Sequence, residues 1–298
     1  MPLVSIIVIT YNSSKYVLET LESTKAQTYQ NIELIISDDA SQDDTVEICK
    51  KWLAENQEKF VRAELITTEI NTGIPANCNR GVKASKGEWV KLIAGDDLLL
   101  ADCIVNGIQF AVQNLDAKIF ASNAHFFTNN LSEIIKKTYL KNNEFFDKKL
   151  TAKDQFNLLL HRNYINAPTL FFNRSLFDMN NGFDEGIKYM EDYPFYLKTL
   201  KKGIKIYYLN KFTVGYRLHA SSISGFEEKT IFNTFYKRFF SYQKKYTFQY
   251  MNIFEKCFHR HYFYTNSFFE YCRMNKKKYS KFYNIAQKTN IFRYFINK

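Results

Sequence analysis

Four short apolar runs, separated by segments with helical patterning, most constrain how this chain can fold. They are continuous stretches of mainly β-branched and aliphatic residues, at 3–9, 32–37, 63–67 and 89–93. Runs of this kind are typical of strands buried on both faces of a sheet. Because helical patterns lie between them, we predict an α/β fold whose strands are parallel and joined by right-handed crossovers.

Polar residues after the first two runs indicate where the connecting helices begin. We expect Ser13 or Ser14 to cap a helix that ends near Ala26, and Asp43 or Asp44 to cap the next one. The predicted strands and helices therefore alternate over the first part of the chain.

Three polar clusters follow three of the predicted strands. They lie at 10–12, 38–39 and 96–97, each directly after an apolar run. Ligands of open α/β sheets bind beyond the carboxyl ends of the strands. We therefore expect the three clusters to converge on one ligand-binding edge.

The same clusters restrict the kind of ligand. The chain contains neither the dinucleotide fingerprint GxGxxG nor the Walker sequence GxxxxGK[ST], which excludes the glycine-rich phosphate sites that these motifs define. Carboxylates repel phosphate unless a divalent cation lies between them, and Mg²⁺ and Mn²⁺ take carboxylate, phosphate and water oxygens. Asp96 and Asp97 thus fit a metal bridge to a diphosphate. An aspartate at another strand end could instead accept hydrogen bonds from a base or ribose.

Five motifs occur in an order that resembles glycosyltransferase family 2. They are PLVSIIVITYN, SDDASQDDT, NTGIPANCNRGVKASKGEWVKLIAGDD, NNGFDE and YMEDYPFYLKTLKKG, and they cover roughly residues 1–220. Members of the family are inverting enzymes with the GT-A fold, a Rossmann-like nucleotide-diphospho-sugar transferase fold. The resemblance implies a mixed, mostly parallel sheet flanked by helices, which we expect to occupy residues 1–225.

For the donor, the resemblance implies a nucleotide-sugar, and specifically a UDP-sugar. Asp39, together with Asp38, would face the uracil and ribose. The residues implied for nucleotide binding are Thr10, Tyr11, Asn12, Asp38, Asp39, Asn77, Gly95, Asp96 and Arg217.

For the chemistry, the resemblance implies a divalent cation and a carboxylate base. Asp96 has the metal-binding place of the DxD motif, with Asp97 beside it, and the implied cofactor is Mn²⁺ or Mg²⁺. Glu191 and Asp192 match the Glu-Asp motif, in which the aspartate is the catalytic base that accepts the proton of an acceptor hydroxyl.

Arg217 and His219 alternate along a predicted strand at 215–224, so we expect both to point to one face. By resemblance Arg217 would contact the diphosphate, and His219 the metal or the diphosphate. A lone histidine is as often a packed or surface residue as a ligand, so both interpretations of His219 stay open.

Two positions depart from the family pattern. Ala94 stands where the family usually has the first aspartate of its run, which removes a ribose contact. Cys78 precedes Asn79 where an arginine is frequent, although Arg80 is near.

Each acidic pair also has a purely structural interpretation. Residues 96–97 and 38–39 could cap the helices that follow them. Residues 191–192 could be an acidic first turn stabilised by the helix dipole, an interpretation compatible with catalysis. Gly182 and Phe183 are interpreted as a turn and a core anchor.

Other functions are also compatible with parts of the pattern. A nucleotidyltransferase would share the metal carboxylates and a similar sheet, but its glycine-rich, basic triphosphate loop is missing after the first strand. A degenerate nucleotide-sugar fold that acts as a binding protein or scaffold at the membrane surface is the alternative that Ala94 and Cys78 favour.

The C-terminal segment, residues 226–298, differs from the rest in charge and composition. It carries the whole formal net charge of +11 and holds 24 of the 49 Phe and Tyr residues. Its aromatic residues recur at helical spacing, which predicts several amphipathic helices in a separate segment.

Several roles are open for this segment. Its aromatics could pack on the body or on each other, could pair two chains, or could contact an anionic membrane. Single-stranded nucleic acid also suits basic and aromatic residues, but no nucleic-acid-binding motif accompanies them, so we expect no nucleic-acid partner.

The chain has no apolar run of membrane-spanning length and no signal-peptide pattern. Its five cysteines show no CxxC or metal-type spacing, which is typical of reduced thiols in the cytosol. We therefore predict a cytoplasmic enzyme, with 226–298 a candidate contact to the inner face of the membrane. The expected acceptor is a glycan or lipid-linked glycan of a bacterial surface polysaccharide such as capsule, O-antigen or lipopolysaccharide.

Overall fold

The computed structural model describes residues 1–138, 140, 143–219, 234–274, 280–288 and 290. The chain divides into two compact units, Met1–Arg217 and Leu218–Lys298, and each is described by itself. The domain boundary predicted at 225–226 lies outside the described residues.

The first half of unit one is a parallel sheet with crossover helices. Its strands are β1 (Val4–Thr10), β2 (Ile32–Asp38), β3 (Arg62–Ile66) and β4 (Trp89–Ala94). Its helices are α1 (Val17–Lys25), α2 (Thr45–Asn56) and α3 (Ile74–Ala84). Each of the four predicted strands is confirmed. The strands β1, β2 and β4 are almost entirely buried, which explains their uninterrupted apolar sequence.

The second half of unit one completes the sheet with five further strands, most of whose pairings are antiparallel. Its strands are β5 (Leu98–Leu99), β6 (Ile119–Phe127), β7 (Ile134–Thr138), β8 (Phe171–Asn173) and β9 (Tyr207–Arg217). Its helices are α4 (Cys103–Gln113), α5 (Ala152–His161), α6 (Ser175–Met179) and α7 (Asp192–Lys201).

The nine strands form one mixed sheet, in the order β3-β2-β1-β4-β8-β6-β9-β5, with β7 paired to β6. The pairings among β1 to β4, and of β6 with β9, are parallel, while β8, β7 and β5 join antiparallel. The longest pairings are parallel, so the expected mixed, mostly parallel sheet flanked by helices is confirmed.

Register places the carboxyl ends of the central strands side by side. Thr10 is paired with Asp38, and Ile9 with Ala94. The residues that follow β1, β2 and β4 therefore leave the sheet at one edge, as the sequence predicts.

An aromatic cluster holds α4 against the sheet. The ring of Phe171 stacks on Phe120 with centroids 5.1 Å apart and lies 5.6 Å from Trp89. A Cβ on Gly107 of α4 would come within 3.2 Å of the Phe171 ring, so a larger residue there would require the ring to shift by a few tenths of an ångström. Truncating a buried ring of this kind to alanine costs about 3–5 kcal/mol.

The helix starts differ in part from expectation. The prediction that Ser13 or Ser14 caps α1 is wrong, because the N-cap is Tyr16 and has no side-chain cap. At α2 the N-cap is Asp44, whose side chain makes no cap bond, but the carboxylate of Asp43 accepts the N–H of the first helical residue, Thr45, at 3.1 Å.

The structural interpretations of two aspartate pairs are excluded by the same boundaries. After Asp97 the chain forms β5, and α4 begins only after its N-cap Asp102, so residues 96–97 cap no helix. Asp38 accepts the N–H and hydroxyl of Ser41 and precedes the α2 cap by six residues, so it caps no helix either.

Unit two is helical where it is described. It contains α8 (Thr234–Tyr242), a π-helical turn at Gln243–Thr247, a 3-10 turn at Phe248–Tyr250, α9 (Ile253–Tyr271) and α10 (Ser280–Lys288). Asn252 and Glu255 form a reciprocal capping box at the start of α9. The rings of Phe240 and Phe263 stack with centroids 4.1 Å apart, so α8 and α9 pack through aromatics. The predicted amphipathic helices are confirmed over these residues.

No helix in the described residues is long and apolar enough to cross a membrane.

Candidate active site

Asp39, one residue beyond β2, is the most heavily hydrogen-bonded carboxylate at the sheet edge. It accepts the backbone N–H groups of Thr72 and Gly73, the Thr72 hydroxyl at 2.7 Å and the Arg80 guanidinium at 2.6 Å. Burial by itself raises the pKa of Asp39, but the hydrogen bonds from Arg80, Thr72 and Gly73 outweigh it and hold the pKa below its usual value. Asp39 therefore remains an ionised acceptor that is tied to α3 through Arg80.

Asp38 has a different role in the packing, although it is adjacent. It is fully buried, and its carboxylate accepts the Thr10 hydroxyl at 2.8 Å and the Ser41 N–H at 2.9 Å. These bonds tie the end of β1 to the loop after β2. Asn77 of α3 donates to the carbonyl of Thr10 at 3.2 Å, which extends the same network to α3.

Tyr11 and Asn12, which follow β1, are solvent-exposed residues of this sheet edge. The Tyr11 side chain is 47% exposed. Asn12 has the left-handed φ of 49°, which asparagine tolerates better than most residues. Its N–H donates to the Ser41 hydroxyl and its side-chain oxygen accepts the N–H of Gln42, so the β1 and β2 loops hold each other.

Gly95 begins the turn that carries the aspartates after β4. A Cβ at this position would lie 2.8 Å from Cγ2 of Thr10, and the Gly95 N–H donates to the carbonyl of Ile9. Glycine is needed because the turn passes directly over the end of β1. Asp96 is half-buried and Asp97 is buried.

Arg217, the last residue of β9, clamps this turn. Its N–H donates to the Asp97 carboxylate and its Nε to the Asp96 carbonyl, both at 2.8 Å. Its guanidinium also pairs with Glu19 of α1 at 2.8 Å. Asp97 combines burial with the nearby charge of Asp96, and these raise its pKa well above the usual value.

The Arg217 side chain is almost completely buried. It lies between the rings of Tyr16 and Phe127, each 4.5 Å from the guanidinium carbon, and donates to the carbonyls of Thr128 and Asn129. The contact of Arg217 with the diphosphate stays a prediction. Such a contact would require the guanidinium to exchange some of these partners.

His219 lies beyond the end of the observed strand, although the predicted strand at 215–224 included it. β9 ends at Arg217, and His219 belongs to the second unit. The prediction that both side chains point to one face of a strand is wrong, because the strand ends before His219. Its metal or diphosphate role stays a prediction.

The donor chemistry of the β4 turn fits a hard divalent cation. Asp96 and Asp97 offer carboxylate oxygens at the strand end, and Mg²⁺ and Mn²⁺ are held by few carboxylates together with phosphate oxygens and water. Within the described ranges, no group of three or more His, Cys, Asp or Glu side chains could hold a metal ion without such outside ligands.

Glu191 and Asp192 form a second acidic centre at the start of α7, as its N-cap and first residue. Burial, and then the adjacent Asp192, raise the pKa of Glu191 to about 8. Burial also raises the pKa of Asp192, against the opposing effects of the Tyr193 N–H and the Asn163 side chain. The pair thus combines an acidic first turn with carboxyls that are poised to hold protons.

Buried neutral groups surround this pair. The Cys78 thiol and the Tyr196 hydroxyl are both buried, and each has its pKa raised by burial and by the charges of Glu191 and Asp192. The Tyr196 hydroxyl has no hydrogen-bond partner in the described part of the chain. The surroundings therefore disfavour two full negative charges.

A loop before α7 is fixed by Asn79. Its side chain donates to the Phe183 carbonyl at 3.0 Å and the Glu185 carboxylate at 2.6 Å, and accepts the Phe183 N–H at 2.8 Å. Gly182 has a φ of 73°, and Phe183 is buried. The predicted turn and core anchor are confirmed, and α3 is linked to the chain that leads to Glu191.

Comparison with known proteins decides the family. The family model described as Glycosyl transferase family 2 matches residues 5–178. The chain belongs to glycosyltransferase family 2. It is 30% identical over 231 residues to the Escherichia coli protein named UDP-Glc:alpha-D-GlcNAc-diphosphoundecaprenol beta-1,3-glucosyltransferase WfaP, covering 75% of this chain and 80% of that one. The expected glycosyltransferase is thereby confirmed.

Other similar proteins match a smaller share of their own length. Glycosyltransferase GlyG of Streptococcus pneumoniae is 34% identical over 41% of this chain and 38% of its own. The crystal structure of S. aureus TarS 1-349 in complex with UDP-GlcNAc has a TM-score of 0.62 at 20% identity, over 80% of this chain and 65% of that one. Together with the mixed sheet and its flanking helices, this likeness confirms the GT-A fold.

Three residues of this family 2 enzyme gain importance only from the structure. Arg80, two positions after Cys78, brings a guanidinium to Asp39. Asn163 contacts Asp192, and Asn79 fixes the loop before it. The sequence NCNRG at 77–81 could have indicated Asn79 and Arg80, whereas the sequence around Asn163 shows no motif.

Proposed function

We propose that this glycosyltransferase transfers a sugar from a UDP-sugar, with inversion, to a hydroxyl of a glycan or lipid-linked glycan acceptor. The observation that carries the proposal is the register of β1, β2 and β4, which lines up residues 10–12, 38–39 and 96–97 at one edge of the sheet. The name of the E. coli relative WfaP describes a UDP-sugar donor and a diphosphoundecaprenol-linked acceptor, which supports the same substrate classes.

In the proposed reaction Asp192 is the base. The acceptor hydroxyl oxygen attacks the anomeric carbon on the face opposite the UDP group, as its proton passes to the Asp192 carboxylate. The bond from the anomeric carbon to the diphosphate oxygen breaks, and UDP leaves with the bonding electron pair. Because attack and departure occur on opposite faces, the anomeric configuration inverts. The raised pKa of Asp192 makes its ionised form a stronger base.

Binding of the donor is assigned to the sheet edge. Asp39, held ionised by Arg80, would accept hydrogen bonds from the nucleoside. Asp96, with Asp97 beside it, would hold Mn²⁺ or Mg²⁺, which neutralises charge on a leaving diphosphate when bound. Arg217 fixes the turn that presents both aspartates.

The proposed setting is the cytoplasmic face of a bacterial membrane, in the synthesis of a surface polysaccharide. Unit two supports a peripheral contact, because Tyr264, Phe268 and Tyr271 lie at helical spacing on α9 and are 64%, 63% and 87% exposed. Basic residues of the same unit would face anionic headgroups.

The experiment is UDP release from a panel of UDP-sugars, with Mn²⁺ or Mg²⁺ against EDTA, for wild type and Asp192→Asn. Metal-dependent release from one sugar that is lost in the variant supports the proposal and identifies the donor. Binding of UDP without turnover of any donor, even with lipid-linked glycan acceptors supplied, would favour the scaffold alternative suggested by Ala94.

A further inference from the structure

We propose that Asn163 is a positioning residue for this reaction, and that its amide determines which carboxyl of the Glu191–Asp192 pair carries the negative charge. The inference rests on the proposed function, since it concerns the base of that reaction. Asn163 follows α5 and lies outside the motifs shared with the family.

The orientation of the Asn163 amide is fixed by two hydrogen bonds. Its oxygen accepts the N–H of Ile165 at 3.0 Å, and its NH₂ group donates to Oδ2 of Asp192 at 3.0 Å. Because the oxygen is used by the local turn, the donor side faces the carboxylate. An NH₂ group can only donate, so it stabilises the ionised carboxylate.

The segment that carries Asn163 is anchored on several sides. Asn143 donates to the carbonyl of Tyr164 at 3.3 Å, and the Tyr164 hydroxyl donates to Glu144 at 2.8 Å. Further along, the buried ammonium group of Lys91 donates to the Leu170 carbonyl at 3.1 Å. A donor held on such a segment restricts the rotation of Asp192.

The other titratable groups around Asp192 make the Asn163 amide important, because it adds a side-chain donor to the backbone N–H of Tyr193. Glu191 is adjacent, and the Cys78 thiol from α3 and the Tyr196 hydroxyl one turn along α7 are neutral at physiological pH because their pKa values are raised. Beside Asn163 in the chain, the charged and titratable residues are His161 at the end of α5, Tyr164, and Arg162, which pairs with Glu144 at 3.1 Å.

Two adjacent carboxyls with raised pKa values share protons, and local hydrogen bonds decide which of them is ionised. The Asn163 donor favours Asp192 as the ionised member and leaves the proton on Glu191.

The decisive variant is Asn163→Asp, measured in the full chain. Aspartate keeps an oxygen for the Ile165 N–H and nearly the same shape, but it replaces the donor by a second acceptor. We expect the acidic limb of the kcat/KM profile to move up by about one pH unit, and kcat/KM below that limb to fall about tenfold, since a lost hydrogen bond to the charged form raises a pKa. The donor KM should change little, and the deficit should narrow as the pH rises.

Asn143→Ala is the matched control, because it loosens the same segment without removing the donor to Asp192. We expect its acidic limb to coincide with that of wild type. An Asn163→Asp profile that runs parallel to wild type at every pH, or an equal shift in Asn143→Ala, would overturn the inference.

A second measurement does not depend on turnover. In protein labelled with carboxyl-¹³C aspartate, NMR titration gives the pKa of Asp192, whose resonance is identified by its loss in Asp192→Asn. We expect a higher pKa in Asn163→Asp than in wild type, and an unchanged value refutes the role. If wild type turns over no donor, the proposed function fails while this titration still decides the inference.

Discussion

In unit one, the surroundings lower the pKa of Asp39 but raise the pKa values of Glu191 and Asp192. Asp39 is surrounded by donors from Thr72, Gly73 and Arg80, and its pKa is lowered in spite of burial. Glu191 and Asp192 are also partly removed from water but have few donors, so burial raises both pKa values, and the charge of Asp192 raises that of Glu191 further. Burial alone therefore does not decide the charge of a carboxyl, since the number of donors around it does.

The contrast matches the two tasks in the proposed reaction. A group that binds a nucleoside must keep one protonation state, whereas a base must accept a proton during turnover. Several hydrogen-bond donors contact Asp39, whereas a single side-chain donor, Asn163, contacts Asp192. The predictions below test whether this separation of tasks is real.

The largest effect is expected at the base. Asp192→Asn should lower kcat by about 100-fold to 10,000-fold, the contribution of a positioned general base. The affinity for UDP, measured by calorimetry with Mn²⁺, should stay close to that of wild type because the nucleotide pocket is intact. Near-normal turnover in this variant would remove Asp192 from the mechanism.

The next effect is expected at the binding centre. Arg80→Ala should raise the donor KM by about tenfold, since loss of a charged hydrogen bond of about 1.5–3 kcal/mol leaves Asp39 less well held. The value of kcat should change less. Steady-state kinetics with varied donor concentration separate the two constants.

Arg62→Ala is a matched control for this variant. Arg62 pairs at 3.1 Å with the buried Glu33 near the start of β2, at the opposite end of the strands. It should lower stability and leave the donor KM unchanged. A similar KM increase in both variants would mean that general destabilisation causes the effect.

A smaller effect is expected at the link between α3 and α7. Asn79→Ala removes the hydrogen bonds to Phe183 and Glu185, and should lower the free energy of unfolding by about 1–3 kcal/mol because buried partners are left unsatisfied. Urea unfolding measures the loss. A stability equal to wild type would indicate that the loop before α7 is held by other contacts.

The last effect is on the pH dependence of stability, and its sign differs between the centres. The pKa of Glu191 is raised from 4.5 to about 8, so the folded state holds a proton that the unfolded state loses. Its contribution to stability is complete below pH 4.5 and is lost as the pH rises through about 8. Glu191→Gln should flatten this part of the curve in urea unfolding at several pH values.

Asp39 should behave in the opposite sense. Its lowered pKa gives a contribution that is present above its ordinary pKa of 3.8 and is lost as the pH falls through the lower folded value. Asp39→Asn should therefore reduce the acid dependence of unfolding. If both substitutions changed the same limb of the curve, the contrast between the two centres would be refuted.

Much of the architecture could be predicted from local sequence. The strands β1, β2 and β4 are covered on both faces, so their apolar runs are continuous and easily recognised. The strands β5 and β8 are too short to show the alternating hydrophobic pattern of a strand. The end of β9 at Arg217 depends on its pairing with β5 and β6. Helix caps were the least predictable feature, because several polar residues compete near each start.

The sequence by itself determined the α/β class, the edge of the sheet at which the polar clusters meet, and the positions of the acidic residues. These follow from local patterns, since parallel strands in register bring their following residues to one edge. The tertiary structure decided the partners of those residues. Arg80 meets Asp39 across 41 positions, Asn163 meets Asp192 across 29, and Arg217 meets Asp97 across 120. Such contacts depend on how the elements pack and where their side chains point, and these determine whether a carboxyl is held ionised or is left to accept a proton.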